Sequence, residues 1–199
     1  MINFSDFEKK TKIIFNDKSL LKQAFIHRSY INENGNVGLA HNERLEFLGD
    51  AVLELVVTDF LYRRYPSYTE GELTSVRSAL VNAVIISSVA ESIGMNDFLL
   101  LSKGETKDKG KARQYILANT YEAYMGALYL DQGYEAVNKF ITKTLLPKTD
   151  EIVNKKLWRD AKSLVQEKAQ EFVNVTPAYK VLSETGPDHD KHFTVGIFF

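Results

Sequence analysis

From Asn42 to Tyr65 the chain reads NERLEFLGDAVLELVVTDFLYRRY, and no other stretch limits the fold so tightly. Leu45, Phe47, Leu48, Val52, Leu53, Val56 and Val57 recur around most of the circumference of a helix. A helix that is apolar on most sides belongs at the centre of a helical bundle. Asn42 is expected to cap it and Pro66 to end it. Yet the same stretch carries Glu43, Glu46 and Asp50, whose i, i+3, i+7 spacing stacks three carboxylates on one face. A carboxylate removed from water is costly unless it is paired or holds a cation. The central helix therefore asks for positive charge from outside itself.

Its surroundings are predicted to be helical as well. Ser5-Asp6-Phe7-Glu8 fits a capping box ahead of FEKKTKIIF. DKSLLKQAFIHRSY reads as a single helix with Leu21, Ala24, Phe25 and Arg28 on one face. INENGNVGLAH reads as a loop. A second capping box, Thr69 to Glu72, opens one helix that Gly94 stops. SKGETKDKGKARQ reads as a polar, basic loop. The apolar YILANTYEAYMGALYLDQG and then YEAVNKFITKTLL complete the helices, ending near Pro147. The segment 148–157 reads as a connector. After it come a short amphipathic helix, DAKSLVQEKAQEFV, with Asp160 as its cap, and a β-hairpin, AYKVLSET and HFTVGIFF around the turn GPDHDK. The expected class is thus mostly α, with a small α+β unit at the end.

Composition narrows the chemistry. Cysteine is absent, which excludes disulfides and thiolate metal sites and suits a reducing cytoplasm. No apolar run has the length that spans a bilayer, so no membrane partner is expected. Lys and Arg number 25 against 26 Asp and Glu, so any surface that meets nucleic acid must be a local basic strip.

The helix ILANTYEAYMGALYL repeats the design of the central one. Asn119 and Glu122 stand at i, i+3 among Ile116, Leu117, Met125 and Leu128. Packed together, the two helices would gather Glu46, Asp50, Asn119 and Glu122 around one ion. Hard carboxylate and amide oxygens, with no His or Cys, suit Mg²⁺. Two other readings stay open. The acids could be helix-start charges favoured by the macrodipole, which serves Glu43 but not Asp50, or they could be paired to Arg28 and Arg44 in a purely structural bundle.

NERLEFLGDAVLELVV is similar to the signature segment of the bacterial ribonuclease III family. HRSY at His27–Tyr30, EGELT at Glu70–Thr74, LLLSKGE at Leu99–Glu105 and ILANTYEAYMGALYLDQG at Ile116–Gly133 resemble its further motifs in order and spacing. The tail resembles the start of a double-stranded-RNA-binding domain. The resemblance implies an all-helical endonuclease domain over 1–147, a linker over 148–157 and a partial RNA-binding domain over 158–199, with its first helix and first two strands. It implies Mg²⁺-dependent hydrolysis of double-stranded RNA to 5′-phosphate and 3′-hydroxyl ends, Mn²⁺ substituting, by a cytoplasmic homodimer in which each subunit cuts one strand. The substrates would be ribosomal RNA precursors and some messenger and transfer RNAs. Glu46, Asp50 and Glu122 match the metal-site carboxylates, with Asp50 and Glu122 as the catalytic pair and Asn119 at a further ligand position. Glu43 and Glu70 match further acids that line the cleavage valley or brace the dimer, and Phe47 matches an aromatic that enters a cavity on the partner subunit. Asn119 departs from the pattern, since Asp is commoner there. It keeps a ligand oxygen and removes a charge, so weaker Mg²⁺ binding is expected. A protein that binds RNA without cutting it is the alternative.

Duplex RNA is read by shape through phosphates and 2′-hydroxyls, so basic strips suffice. Lys103, Lys107, Lys109, Lys111, Arg113 and Arg77 are candidates for a phosphate-facing rim. In the tail, Lys162, Ser163, Gln166, Glu167 and Gln170 share a broad helix face, and the resemblance makes that face a minor-groove reader. His189 matches the loop that enters the next minor groove. The family's third strand and second helix are not in the sequence, so weak RNA binding by the tail is expected.

Overall fold

A computed structural model describes residues 2–35, 38–107, 109–158, 161–187 and 191–199, with the side chains of 161, 163 and 164 excepted. The chain divides into two compact units, Met1–Trp158 and Arg159–Phe199. The first unit is a helical bundle. Its elements are α1 (Phe4–Thr11), α2 (Lys18–Ala24), α3 (Arg28–Asn34), α4 (Glu43–Arg64), α5 (Glu70–Leu80), α6 (Ala83–Ser92), α7 (Lys103–Lys107), α8 (Lys111–Gln132), α9 (Tyr134–Thr144) and α10 (Lys148–Asn154). The second unit holds α11 (Ala161–Val173) and the strands β1 (Ala178–Thr185) and β2 (His192–Phe198). The expected class, mostly α with a small α+β unit, is what the structure has.

The two long helices, α4 and α8, make the most extensive contact of the bundle. Leu45, Val52, Leu53, Val56, Val57 and Leu61 of α4 are buried, as are Ile116, Tyr121, Tyr124, Met125 and Leu128 of α8. Phe7, Phe15, Phe25 and Phe98 surround Tyr124 and Phe140 in an aromatic cluster with ring centroids 5.0 to 6.4 Å apart. Edge-on and tilted contacts of this kind add to what burial alone supplies.

Several expected boundaries move, and each for a long-range reason. The helix predicted over DKSLLKQAFIHRSY is two helices. Phe25 and Ile26 leave the helical path because their backbone pairs elsewhere: Leu100 N–H donates to Phe25 O at 2.9 Å and Asn42 N–H to Ile26 O at 2.9 Å. His27 then restarts the chain, its imidazole accepting from Ser29 N–H as the cap of α3. Asn42 does not cap α4 through its side chain. It is buried, and its amide donates to Ala24 O at 3.0 Å instead. At the N-terminus the cap is Asn3 rather than Ser5, and Glu8 turns inward to accept from Phe15 N–H at 2.8 Å and from Lys18 Nζ.

The capping box of Thr69 and Glu72 is present. The helix it opens ends at Leu80, because the Asn82 side chain accepts from Ile85 N–H and caps a separate α6. Gly94, at φ 79°, ends that second helix. Part of the expected basic loop is helical, as α7. The stretch read as a linker is helical over Lys148–Asn154, with Thr149 and Ile152 buried, so it belongs to the bundle. Trp158 closes the unit with its ring 6.0 Å from that of Tyr68.

In the second unit β1 and β2 pair antiparallel, Ala178 opposite Phe198, with an irregularity between Val181 and Ser183. Gly186 takes φ 96° just after β1, a backbone conformation that favours glycine; residues 188–190 of the expected turn lie outside the described residues. The proposed cap Asp160 lies outside the described residues.

Candidate functional site

What brings the acids together is a backbone crossing without side chains. Gly49 of α4 lies against α8 so closely that a Cβ on it would stand 1.7 Å from Glu122 O and 2.7 Å from Gly126 N. A Cβ on Gly126 would stand 2.1 Å from Leu45 O. The two helices therefore touch main chain to main chain at these glycines. Glu46 and Asp50 flank Gly49 in sequence, and Glu122 is the residue directly opposite it. Asn119 precedes Glu122 by three residues on α8, so it shares that face. Sequence reasoning overlooked both glycines. A glycine inside an otherwise apolar helix is the signal that marks such an approach.

The acids line an exposed flank of the bundle, so the premise of burial needs correcting. Asp50 and Glu43 are exposed, while Glu46, Asn119 and Glu122 are half-buried. The Glu122 carboxyl is pushed up to about 7, first by burial and then by the charges of Asp50, Glu46 and Glu54. Glu46 is raised too, by burial first and then by Glu43 and Asp50. These mutual effects are the mark of like charges held near one another in partial shelter. Glu54 is a further acid on the α4 stripe that the sequence reading did not single out.

Among the described residues, no hydrogen bond or ion pair is made by the side chains of Glu46, Asp50, Asn119 or Glu122. Arg28 is spent at the edge: its Nη2 lies 2.7 Å from Glu43 Oε2. His41 Nδ1 is 3.8 Å from the same oxygen, too far for a hydrogen bond. The reading in which arginines neutralise the central acids thus fails at Glu46, Asp50 and Glu122. The donor set is three carboxylates and one amide, all hard oxygens with uncompensated charge, which suits a divalent cation of the Mg²⁺ type. No three acidic or imidazole side chains among the described residues close into a ligand shell. Mg²⁺ does not need one, since it keeps several waters and takes one or two protein carboxylates.

Phe47 points away from the core and is 81% exposed. Glu70 is exposed at the start of α5, where its Oε1 accepts from Thr74 Oγ1 at 3.2 Å. It borders a largely apolar cavity of about 420 Å³ formed with Thr58, Leu61, Tyr62, Tyr68, Leu73 and Arg77. Arg77 faces this cavity and Glu54, not a phosphate-facing rim. Lys103, Lys107, Lys109 and Lys111 are exposed, whereas Arg113 is tied by its Nη2 to the carbonyls of Glu105 at 3.0 Å and Thr106 at 3.1 Å.

In the second unit Lys162 is exposed, with its Nζ 4.9 Å above the Tyr179 ring. Gln166 is half-buried, Glu167 and Gln170 are exposed, and the Gln170 amide donates to Asn174. The Ser163 side chain and His189 lie outside the described residues.

Residues 17–149 match the family described as Ribonuclease-III-like. The chain is 46% identical to Ribonuclease 3 of Desulfotalea psychrophila over 195 residues, which is 98% of this chain and 80% of that protein. It is 43% identical to Ribonuclease 3 of Lactococcus lactis subsp. lactis over 197 residues, covering 96% of this chain and 84% of that one. Among solved structures, a ribonuclease III nuclease domain from Campylobacter jejuni superposes with a TM-score of 0.66 at 36% identity, over 73% of this chain and 97% of that one. That domain is described as having structural flexibility in a region involved in dimer formation. Dicer from Pichia stipitis matches with a TM-score of 0.55 at 26% identity, over 93% of this chain and 82% of that one.

Proposed function

The chain belongs to the ribonuclease III family, and on that footing we propose that it is an endoribonuclease that hydrolyses the phosphodiesters of double-stranded RNA. The observation that carries the reading is the glycine crossing, which sets Glu46 and Asp50 of α4 beside Glu122 of α8 with no ion pair to offset them among the described residues. Glu46, Asn119 and Glu122 hold a divalent cation, Mg²⁺ or in its place Mn²⁺, and Asp50 and Glu122 are the catalytic pair. A cation held there would lower the pKa of a water and offset charge gathering on the phosphate.

The chain's own residues prepare that site. Glu122 retains a proton near neutrality in the cation-free protein and must release it to coordinate, so apparent cation affinity rises with pH. Asp50, exposed beside it, presents an acceptor to solvent, where it can take a proton from a water directed at the scissile phosphate. The neutral amide of Asn119 contributes a ligand oxygen without adding to the repulsion. Glu43, held by Arg28, marks the edge of the valley. The exposed lysines between Lys103 and Lys111 meet the phosphates of the duplex, and Lys162, Ser163, Gln166, Glu167, Gln170 and His189 of the second unit read its minor groove.

The protein acts as a homodimer, each subunit cutting one strand. An aromatic as exposed as Phe47 is best explained by a partner, and the apolar cavity bordered by Glu70 and Tyr62 has room for the Phe47 ring of a second copy. Processing of ribosomal RNA precursors and of some messenger and transfer RNAs, in the cytoplasm, is the corresponding role. No single helix among the described residues is long and apolar enough to cross a membrane.

The test is cleavage of a defined RNA duplex with EDTA, Mg²⁺ or Mn²⁺. The wild type should cut only with metal, whereas Asp50→Asn and Glu122→Gln should fold but not cut. A protein that cuts at no metal concentration, while Asn119→Asp restores cutting, would be an RNA binder and not an enzyme.

A further inference from the structure

The acid stripe of α4 does not end at Asp50. Glu54 lies one turn further along the same face, and Thr58 one turn beyond that. Arg77 reaches across from α5 to both. Its Nε lies 2.9 Å from Glu54 Oε2, and its Nη1 donates to Thr58 Oγ1 at 2.9 Å. The two side chains of the ion pair are only about one third exposed, 33% for Arg77 and 36% for Glu54. The opposite side of Arg77 forms part of the cavity wall with Tyr62 and Glu70. Arg77 thus stands where the acid row meets the cavity.

Glu54 has no part in the reading above, yet its charge bears on Glu122 together with those of Asp50 and Glu46. Untethered, it would add a fourth negative charge within reach of the row. It is not untethered. The planar guanidinium is held at two points, so Glu54 cannot turn toward Asp50 without leaving a half-buried cation unpaired beside apolar groups.

We propose that Arg77 is a positioning residue for the cation site and acts through Glu54: by pairing with this carboxylate it keeps Glu54 out of the ligand set and limits the negative charge that the acid row presents to a divalent cation. The inference rests on the divalent-cation reading of the site.

Mn²⁺ titration followed by electron paramagnetic resonance tests it on the full chain. Arg77→Met strands the Glu54 charge, so Mn²⁺ should bind roughly tenfold more tightly, the scale of one added charge at a partly sheltered site. Arg77→Lys keeps the positive charge and should stay near wild type. The double variant Arg77→Met with Glu54→Gln should return to near wild type as well. A merely structural strut predicts the reverse: weaker binding in Arg77→Met with no recovery in the double variant. That result, or unchanged affinity in Arg77→Met, overturns the proposal. Should Arg77→Met fail to fold, Glu54→Gln alone decides: loss of a held-off carboxylate changes the local charge by one unit and weakens Mn²⁺ binding by no more than roughly tenfold, whereas a loss well beyond that marks Glu54 as a true ligand and overturns the proposal. Wild-type protein that binds no Mn²⁺ overturns the cation reading itself, and this inference with it, which separates the two failures.

Discussion

Replacing Gly49 with alanine puts the architecture of the site to its hardest test. A Cβ at this position would lie 1.7 Å from Glu122 O and 2.6 Å from Glu122 C, whereas ordinary contact begins at 3.4 Å. Both neighbours are main-chain atoms of a long helix, so neither can swing aside as a side-chain tip would. The helices must separate by about 1.5 Å, and a gap half that size already forfeits a quarter to a half of each dispersion contact across it. Overpacking usually costs about 1–3 kcal/mol, and a clash of backbone with backbone belongs at the upper end or beyond. Alanine regains about 1 kcal/mol of helix propensity. The net loss expected for Gly49→Ala is therefore about 2 kcal/mol or more, a fall in Tm of roughly 4–8 °C for a domain of this size. Urea unfolding followed by circular dichroism measures it, with Gly71→Ala as control. Gly71 has nothing within 4 Å of its would-be Cβ, so that substitution should be neutral or mildly stabilising. Cation binding should weaken in parallel, because the displaced helices carry the proposed ligands. A Gly49→Ala protein within about 0.5 kcal/mol of wild type, or one that binds Mn²⁺ as tightly, refutes the claim that this crossing builds the site.

Other expectations are more local. Asn119→Asp adds a negative charge to the ligand set and should lower the Mg²⁺ concentration for half-maximal cleavage severalfold; an unchanged requirement would place Asn119 outside the site. Phe47→Ala removes a ring that is 81% exposed, so it should loosen self-association in sedimentation equilibrium while leaving subunit stability within about 0.5 kcal/mol; a large loss of stability instead would mean the ring packs within its own subunit. Glu122 holds its proton more tightly when folded, with its carboxyl raised from 4.5 to about 7. The stability tied to that proton is full below pH 4.5 and is lost as pH rises through 7. In EDTA, wild type should lose on the order of 1–2 kcal/mol relative to Glu122→Gln between pH 5 and pH 8, after allowance for solvent screening. Unfolding curves that stay parallel across that range would contradict the raised value.

Much of this protein was legible in one dimension. Periodicity located α4, α8 and α9, because a bundle helix must repeat its apolar residues at helical spacing whatever it packs against. The Thr69–Glu72 box and the Gly94 stop were readable because caps are satisfied within a few residues. The pairing of Glu46 with Asp50 and of Asn119 with Glu122 followed from spacing along single helices. What local pattern could not supply was any bond made across the fold. The break between α2 and α3 depends on Leu100 and Asn42 taking backbone groups that a continuous helix would use itself. Asn42 looked like a cap because its preferred neighbours were in place, but its amide had a buried carbonyl to satisfy at Ala24. Arg77 looked like a cation for phosphate until Glu54 and Thr58 claimed it.

The sequence by itself determined that two apolar helices each carry a polar pair, Glu46 with Asp50 and Asn119 with Glu122, since this follows from residue type and helical period. Only the tertiary structure decided that these helices meet at Gly49 and Gly126, that Arg28 stops at Glu43, and that Glu46, Asp50 and Glu122 make no ion pair among the described residues. The reason is physical: period and propensity act over a few residues, whereas the distance between two backbones is set by what is missing between them. Here two absent side chains let α4 and α8 touch, and the acids of both helices gather around that contact.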